Sequence, residues 1–235
     1  MNTCWQHLRK KEIEKTHPVS LSNSSLQNYE ITEIDYNMAK EFILRYEWLG
    51  NMGTSKYCYG MLFSGQLASV VCYGAPVAPS KYAKILGFNN FNSIIQLCRG
   101  ATAYWAPKYV PSKLISYTIK LINKKLGVRA VIAYADPLAG EIGTIYQACN
   151  AFYIGMTSPG GGKRYIINGH SYDPRKVHKK FGSRAQNHLS VIDPNYKVQT
   201  INSKHRYLFI LGTNYERELV FNRIKDIILE YPKRD

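Results

Sequence analysis

The residues best suited to chemistry fall in one stretch, Val128 to Gly155, which reads VRAVIAYADPLAGEIGTIYQACNAFYIG. A run of apolar residues stops at Asp136-Pro137, and Tyr146, Gln147 and Asn150 follow closely. The pattern reads as a buried strand, a polar turn, a short helix and a second strand. Ligands in α/β proteins gather at the carboxyl ends of strands, which puts Asp136 at the mouth of a site. A carboxylate behind an apolar run is partly desolvated. Desolvation raises its pKa and suits it to taking a proton. Asp136 could equally open a turn and cap the following helix. Tyr146 and Asn150, four residues apart, share a face if the helix runs that far.

Other candidates sit where elements end. Tyr73 and Arg99 close strands; Arg99 could clamp an anion, and Tyr73 could line a pocket or pack in the core. Ser112 and Lys113 open a long helix after Pro111, and helix starts expose N–H groups that suit phosphate. Ser112 is also an ordinary N-cap residue. His170 and His178 flank a basic loop, with Arg175, Lys176, Lys179, Lys180 and Arg184 around them. A metal needs several converging ligands, and the spacing of Asp136 and His170 assigns none.

The elements that must position these residues follow from periodicity. Tyr29–Ile34 suits a strand, and Asp35 an N-cap for a helix over 36–48 with Met38, Phe42, Ile43 and Tyr46 inward. Residues 57–63 and 66–73 form a hairpin around Ser64-Gly65. A helical turn at 82–86 leads to a strand at 93–98. A helix from Pro111 or Ser112 to Leu126 turns Leu114, Ile115, Thr118, Ile122 and Leu126 inward and stops at Gly127. Strands at 164–168 and 207–211 and a helix at 216–230, using Leu219, Val220, Ile224, Ile227 and Ile228, complete the chain. Residues 1–28 are polar and aperiodic and read as a mobile arm. The early hairpin demands antiparallel pairing, so the fold class is mixed α/β (α+β) rather than a doubly wound parallel sheet.

Composition narrows the partners. Among 235 residues, 31 Lys and Arg face 16 Asp and Glu, a net charge of +15. Such an excess attracts polyanions. Ten of those basic residues lie between Lys163 and Arg206 against two Asp, interleaved with Tyr165, Tyr172, Phe181 and Tyr196. Nucleic acid is the expected partner, ahead of an anionic membrane surface. No stretch approaches the ~18 apolar residues of a membrane span, and the N-terminus has no secretory signal. Five cysteines, odd in number and without a C-x-x-C pair, point to a reducing cytoplasm and free thiols.

Several segments together carry a resemblance. They are YGAP at 73–76, LCRG at 97–100, PSKLI at 111–115, YADPLAGEIGTIYQACNAFYIG at 134–155, HSYDPRKVHKKFGS at 170–183 and KHRYLFIL at 204–211. The chain resembles the Mom family of phage DNA-modification proteins, which is similar to GNAT-type N-acyltransferases. The resemblance implies a largely antiparallel central sheet flanked by helices, with a catalytic domain over 29–211, the basic DNA-contacting segment 163–206 within it, and a C-terminal helix over 212–235. It implies transfer of a carbamoylmethyl (acetamido) group to the exocyclic amine of adenine in double-stranded DNA, shielding phage DNA from host restriction. Asp136 would then be the base. Tyr146 would act as an acid or stack on a flipped base, with Asn150 and Tyr73 beside it. Gln147 and Asn150 carry amides that match adenine's edge. Arg99, Ser112 and Lys113 would hold the donor, for which the resemblance implies acetyl-CoA or a relative; it also raises iron. The acyl-CoA diphosphate loop, Gln/Arg-x-x-Gly-x-Gly/Ala, survives only as Arg99-Gly100-Ala101. Other readings are a GNAT acyltransferase acting on a protein or small molecule, and a non-catalytic DNA-binding module.

Overall fold

Ser64 and Gly65 both adopt positive φ, 48° and 78°. That is the two-residue turn whose twist matches paired strands, and it joins β2 (Ser55–Phe63) to β3 (Gln66–Gly74). The computed structural model describes residues 4–16, 28–157, 162–172, 174–201 and 203–234, without the side chains of Ser171, Arg175 and Ile201. The chain folds as two compact units, Met1–Gly155 with His205–Asp235, and Met156–Lys204.

The larger unit is built on a seven-stranded sheet. To the hairpin it adds β1 (Tyr29–Glu33), β4 (Ile94–Thr102), β5 (Ala130–Ala135), β6 (Phe152–Met156) and β10 (His205–Ile210), in the order β1-β2-β3-β4-β5-β10-β6. The pairings β1–β2, β2–β3, β3–β4 and β5–β10 are antiparallel, and β4–β5 is parallel. This mixed, largely antiparallel sheet flanked by helices is the GNAT-like fold that the sequence implies.

Strand alternation assigns the two faces. Tyr59, Met61, Tyr73, Leu97, Val131, Ala133, Tyr207 and Phe209 pack on one face with Leu114, Ile115, Ile119 and Ile122 of α4 (Val110–Leu126). The other face is shared. Cys58, Val70 and Cys72 meet Ile13 of α1 (Trp5–Thr16) and Ala39, Ile43 and Tyr46 of α2 (Tyr36–Tyr46). Ile132 and Leu208 meet Tyr82 and Leu86 of α3 (Pro79–Leu86) and Val220 and Ile224 of α8 (Asn214–Ile224). Each fully buried Ile or Leu contributes about 1.5–3 kcal/mol.

Five expectations change. Residues 5–16 form a helix that buries Ile13 where a mobile arm was expected; residues 17–27 of that arm lie outside the described residues. Met38 is exposed and Ala39 takes its place inward, because the buried stripe of α2 is Ala39, Ile43 and Tyr46. Leu126 is exposed at the end of α4. The long helix begins at Val110 with Tyr109 as its cap residue, so Ser112 lies inside the first turn. The C-terminal helix stops at Ile224 and passes through a 3₁₀ turn at Lys225–Ile227. The chain beyond pairs along β6, the Leu229 N–H donating to the Tyr153 carbonyl at 2.9 Å. Leu219 and Ile227 are exposed there.

The smaller unit has a core of its own. Strands β7 (Gly162–Ile167), β8 (His170–Tyr172) and β9 (Lys197–Ile201) form an antiparallel sheet in the order β8-β7-β9. Tyr165 and Ile167 pack with Val177 of α6 (Pro174–Phe181) and Leu189 of α7 (Gln186–Ile192).

Candidate active site

The parallel pair β4–β5 holds for only four rungs, Ile94–Ala130 to Leu97–Ala133. Beyond them β4 stays paired with β3 as far as Thr102, and β5 with β10 as far as Ala135. The two strands therefore share no further rung, and backbone groups along both inner edges are released. A bulge stands where the two strands part. Cys72 pairs with Arg99 and Tyr73 with Leu97, so Cys98 is an extra residue. An extra residue reverses which side chains face which way: Leu97 packs toward α4, whereas Ala101 packs toward α2.

Side chains reach the released carbonyls. The Gln6 amide donates to the Gly100 carbonyl at 3.3 Å. The Tyr146 hydroxyl donates to the Tyr134 carbonyl at a long 3.5 Å. Tyr146 lies on α5 (Thr144–Ala148), and its ring packs against Tyr207 and Phe209 with centroids 5.3 and 6.5 Å away. Burial pushes its phenol well up, and the charges of Glu141 and Glu47 add to the shift. The phenol thus stays protonated and keeps a proton to donate.

Asp136 ends β5 and is 6% exposed. Its Oδ1 accepts the Leu138 N–H at 3.0 Å and caps a 3₁₀ turn over Pro137–Ala139. The capping reading is therefore realised, at the strand end where a base would stand. The glycines of this motif answer to geometry. Gly140 and Gly143 have φ of 68° and 77°, and a Cβ on Gly143 would run into the Tyr207 ring. The Tyr207 hydroxyl donates to the Ile142 carbonyl and accepts from Gln147 Nε2 at 3.0 Å. Gln147 also donates to the Pro232 carbonyl at 3.3 Å. Its amide thereby ties α5 to β10 and to the C-terminal segment, which explains it without an adenine edge.

Other candidates are placed differently. Asn150 lies outside α5, exposed, with φ 57°, so it does not share a helix face with Tyr146. Tyr73 is 0% exposed, and its hydroxyl lies 2.7 Å from Thr118 Oγ1; it is a core ring. Arg99 is drawn into the loop after α2. Its Nε and Nη2 donate to the carbonyl and Oδ1 of Asn51 at 2.6 and 2.5 Å, its Nη1 donates to the Cys98 carbonyl, and Glu47 lies 3.9 Å away. That fork is engaged by protein, not turned to an anion. Ser112 Oγ donates to the Tyr109 carbonyl at 3.0 Å. The Lys113 ammonium lies 4.1 Å from the Tyr29 ring centre and 5.6 Å from that of Tyr109.

Sequence reasoning missed two residues here. Glu47 is 8% exposed, its Oε2 accepting the Leu49 N–H at 2.8 Å. It follows α2 directly, and only the Arg99 pairing marks it. His205 stands opposite Ala135, the residue before Asp136, with Nδ1 3.0 Å from the Tyr153 hydroxyl. Desolvation lowers its pKa. Its place beside Asp136 appears only in the antiparallel register of 205–210 against 130–135, which leaves no local mark in the sequence.

Neither implied cofactor finds a ready cradle. A diphosphate needs several free backbone N–H groups at a helix start. At the start of α4 the Val110 N–H is bonded to the Pro107 carbonyl and that of Lys113 to the Tyr109 carbonyl, while Pro111 has none. The approach, Ala103–Tyr109, contains no glycine. Among the described residues no three His, Cys, Asp or Glu side chains converge as a metal would require. The described residues do not form the usual GNAT cradle for acyl-CoA at the start of α4 and gather no ligand set for iron.

In the smaller unit Val177 is buried and Phe181 half-buried, while Lys176, His178, Lys179 and Lys180 point outward from α6. The Lys180 ammonium donates to the Tyr172 hydroxyl at 2.8 Å. His170 and Arg184 are also exposed; the Arg175 side chain lies outside the described residues. No described helix is long and apolar enough to cross a membrane.

The mixed sheet, split between β4 and β5 and flanked by helices, defines a GNAT-like α/β protein. The sequence profile of the Mom protein family matches residues 28–233, and the chain belongs to that family. No curated protein matches it significantly in sequence. Solved structures similar to it include an IAA acetyltransferase from Bacillus cereus, at 12% identity and TM-score 0.42, covering 78% of this chain and all of that one. Another is a ribosomal-protein-S5-alanine acetyltransferase from Vibrio fischeri, at 9% and 0.45, covering 82% and 96%. Likeness at this distance says nothing about what the chain binds.

Proposed function

We propose that this protein is a DNA-modifying transferase that places a carbamoylmethyl group on the exocyclic amine of adenine. Membership of the Mom protein family over residues 28–233 is the observation that carries the reading. The site chemistry supports it. Adenine's amine is a weak nucleophile, since its lone pair is delocalised into the ring. Asp136, buried at the strand end, would take the proton the amine loses as the new N–C bond forms. As that bond forms, the bond from the same carbon to the donor's leaving atom breaks, and Tyr146, held protonated at the edge of the split, would donate to that atom as negative charge develops on it. The charged face of α6 supports a polyanionic substrate, because Lys176, Lys179 and Lys180 stand together on it. In the duplex the amine is base-paired and presented only edge-on in the major groove, so a side chain at a strand end would reach it with the base turned out of the stack.

Restriction analysis tests the biological role. Plasmid from cells expressing the chain should resist endonucleases whose sites contain adenine and remain open to those whose sites contain none. Equal cutting by both sets would refute the role.

A further inference from the structure

The turn that carries Asp136 out of β5 also carries a leucine. Leu138 is 58% exposed, two residues from Asp136, and neither the cap nor the core uses its side chain. Its backbone, by contrast, is firmly held. Its N–H donates to Asp136 Oδ1 at 3.0 Å, the Ala139 and Glu141 N–H groups donate to the Asp136 carbonyl at 3.0 and 3.1 Å, and that of Gly140 donates to the Pro137 carbonyl at 3.0 Å. Pro137 fixes the turn further. An exposed leucine on a braced turn is a rigid projection, and Ala139 behind it is 2% exposed.

Resting on the adenine reading above, we propose that Leu138 is a wedge that enters the DNA stack and fills the place of the adenine as it turns out toward Asp136. Apolar side chains inserted between base steps unstack them and stabilise the distorted duplex, and a flipped base leaves a gap of that kind. A wedge must be apolar, exposed, rigid and close in sequence to the group that receives the base. Leu138 meets all four requirements. The wedge matters only where there is a stack to open, so its effect separates duplex from single-stranded substrate.

The test uses one circular phage genome in its single-stranded and double-stranded forms, which offer the same sequence contexts. Purified wild-type protein and Leu138→Ala are incubated with each in clarified bacterial extract, which supplies the donor. Modified deoxyadenosine is then measured by mass spectrometry. Leu138→Ala should slow modification of the duplex ~10-fold or more, since unstacking a step costs a few kcal/mol, and leave the single strand within about twofold. Leu138→Phe, which keeps an apolar wedge, should restore much of the duplex rate. Equal rates for wild type and Leu138→Ala on the duplex would overturn the wedge, as would equal loss on both forms. Modification of neither form by the wild type would overturn the adenine reading itself, and the wedge with it.

Discussion

At the scale of single residues, Tyr146 and His205 show how burial selects a protonation state. The Tyr146 phenol is pushed up by burial and by nearby carboxylates, which makes it a donor and disqualifies it as a base. Tyr146→Phe should keep the ring packing against Tyr207 and Phe209, and with it the stability, because the hydroxyl's 3.5 Å hydrogen bond is weak. Modification should nevertheless fall ~10²-fold. An active Phe variant would make Tyr146 a packing ring. His205 is desolvated, and its folded pKa lies below its ordinary 6.5. Below that value the unfolded chain takes a proton that the folded chain resists, so stability is complete above pH 6.5 and declines as the pH falls toward the folded value. Urea midpoints measured against pH should show this decline, and His205→Gln should lessen it. An unchanged decline would assign it to other groups.

At the scale of elements, the decisive feature is the bulge at Cys98 and the parting of β4 from β5 that follows it. The turn from Asp136 to Gly143 is the companion piece, since it brings α5 over the split. Gly143→Ala should destabilise the larger unit by about 1–3 kcal/mol, through its positive φ and the collision with the Tyr207 ring. Thermal denaturation measures it, and an unchanged midpoint would show the turn to be less constrained. Much of this architecture is legible locally. Asp35 caps α2 as read, Ser64-Gly65 turns the hairpin, and Gly127 stops α4, because each signal is complete within a few residues. The bulge is not legible, since Leu97-Cys98-Arg99 is one short alternating run whose extra residue appears only against β3. The hydrogen bond from Gln6 to Gly100 spans 94 residues and leaves no local trace. The places of Asp136 just past a strand and of Tyr146 on the short helix after it were legible, because the apolar run and the Asp-Pro turn are local signals. Asn150 and Tyr73 were misplaced, one by a helix that stops early and the other by a strand buried on both faces.

At the scale of the whole molecule, the candidate catalytic residues and the lysine face of α6 belong to different compact units. The larger holds the split sheet, and the smaller has its own core and the lysine face of α6. If that face meets DNA backbone, replacing Lys176, Lys179 and Lys180 by Ala should reduce the slope of log affinity against log salt by about 2–3, near 0.9 for each phosphate no longer neutralised. Titrations at several salt concentrations read this directly, and an unaltered slope would mean that the face is only solvated charge. The fold of the larger unit should be unaffected, because these side chains lie outside its core.

The most direct measurement concerns adenine itself. Plasmid from cells expressing the wild-type chain is digested to nucleosides and weighed by mass spectrometry, beside plasmid from cells expressing Asp136→Asn. The amide oxygen of Asn can still cap Leu138, so that variant should fold and bind DNA while losing the base. A deoxyadenosine species heavier by one carbamoylmethyl group in place of a hydrogen should be present with the wild type and absent with the variant. An unmodified adenosine pool from cells containing folded wild-type protein would contradict the adenine reading.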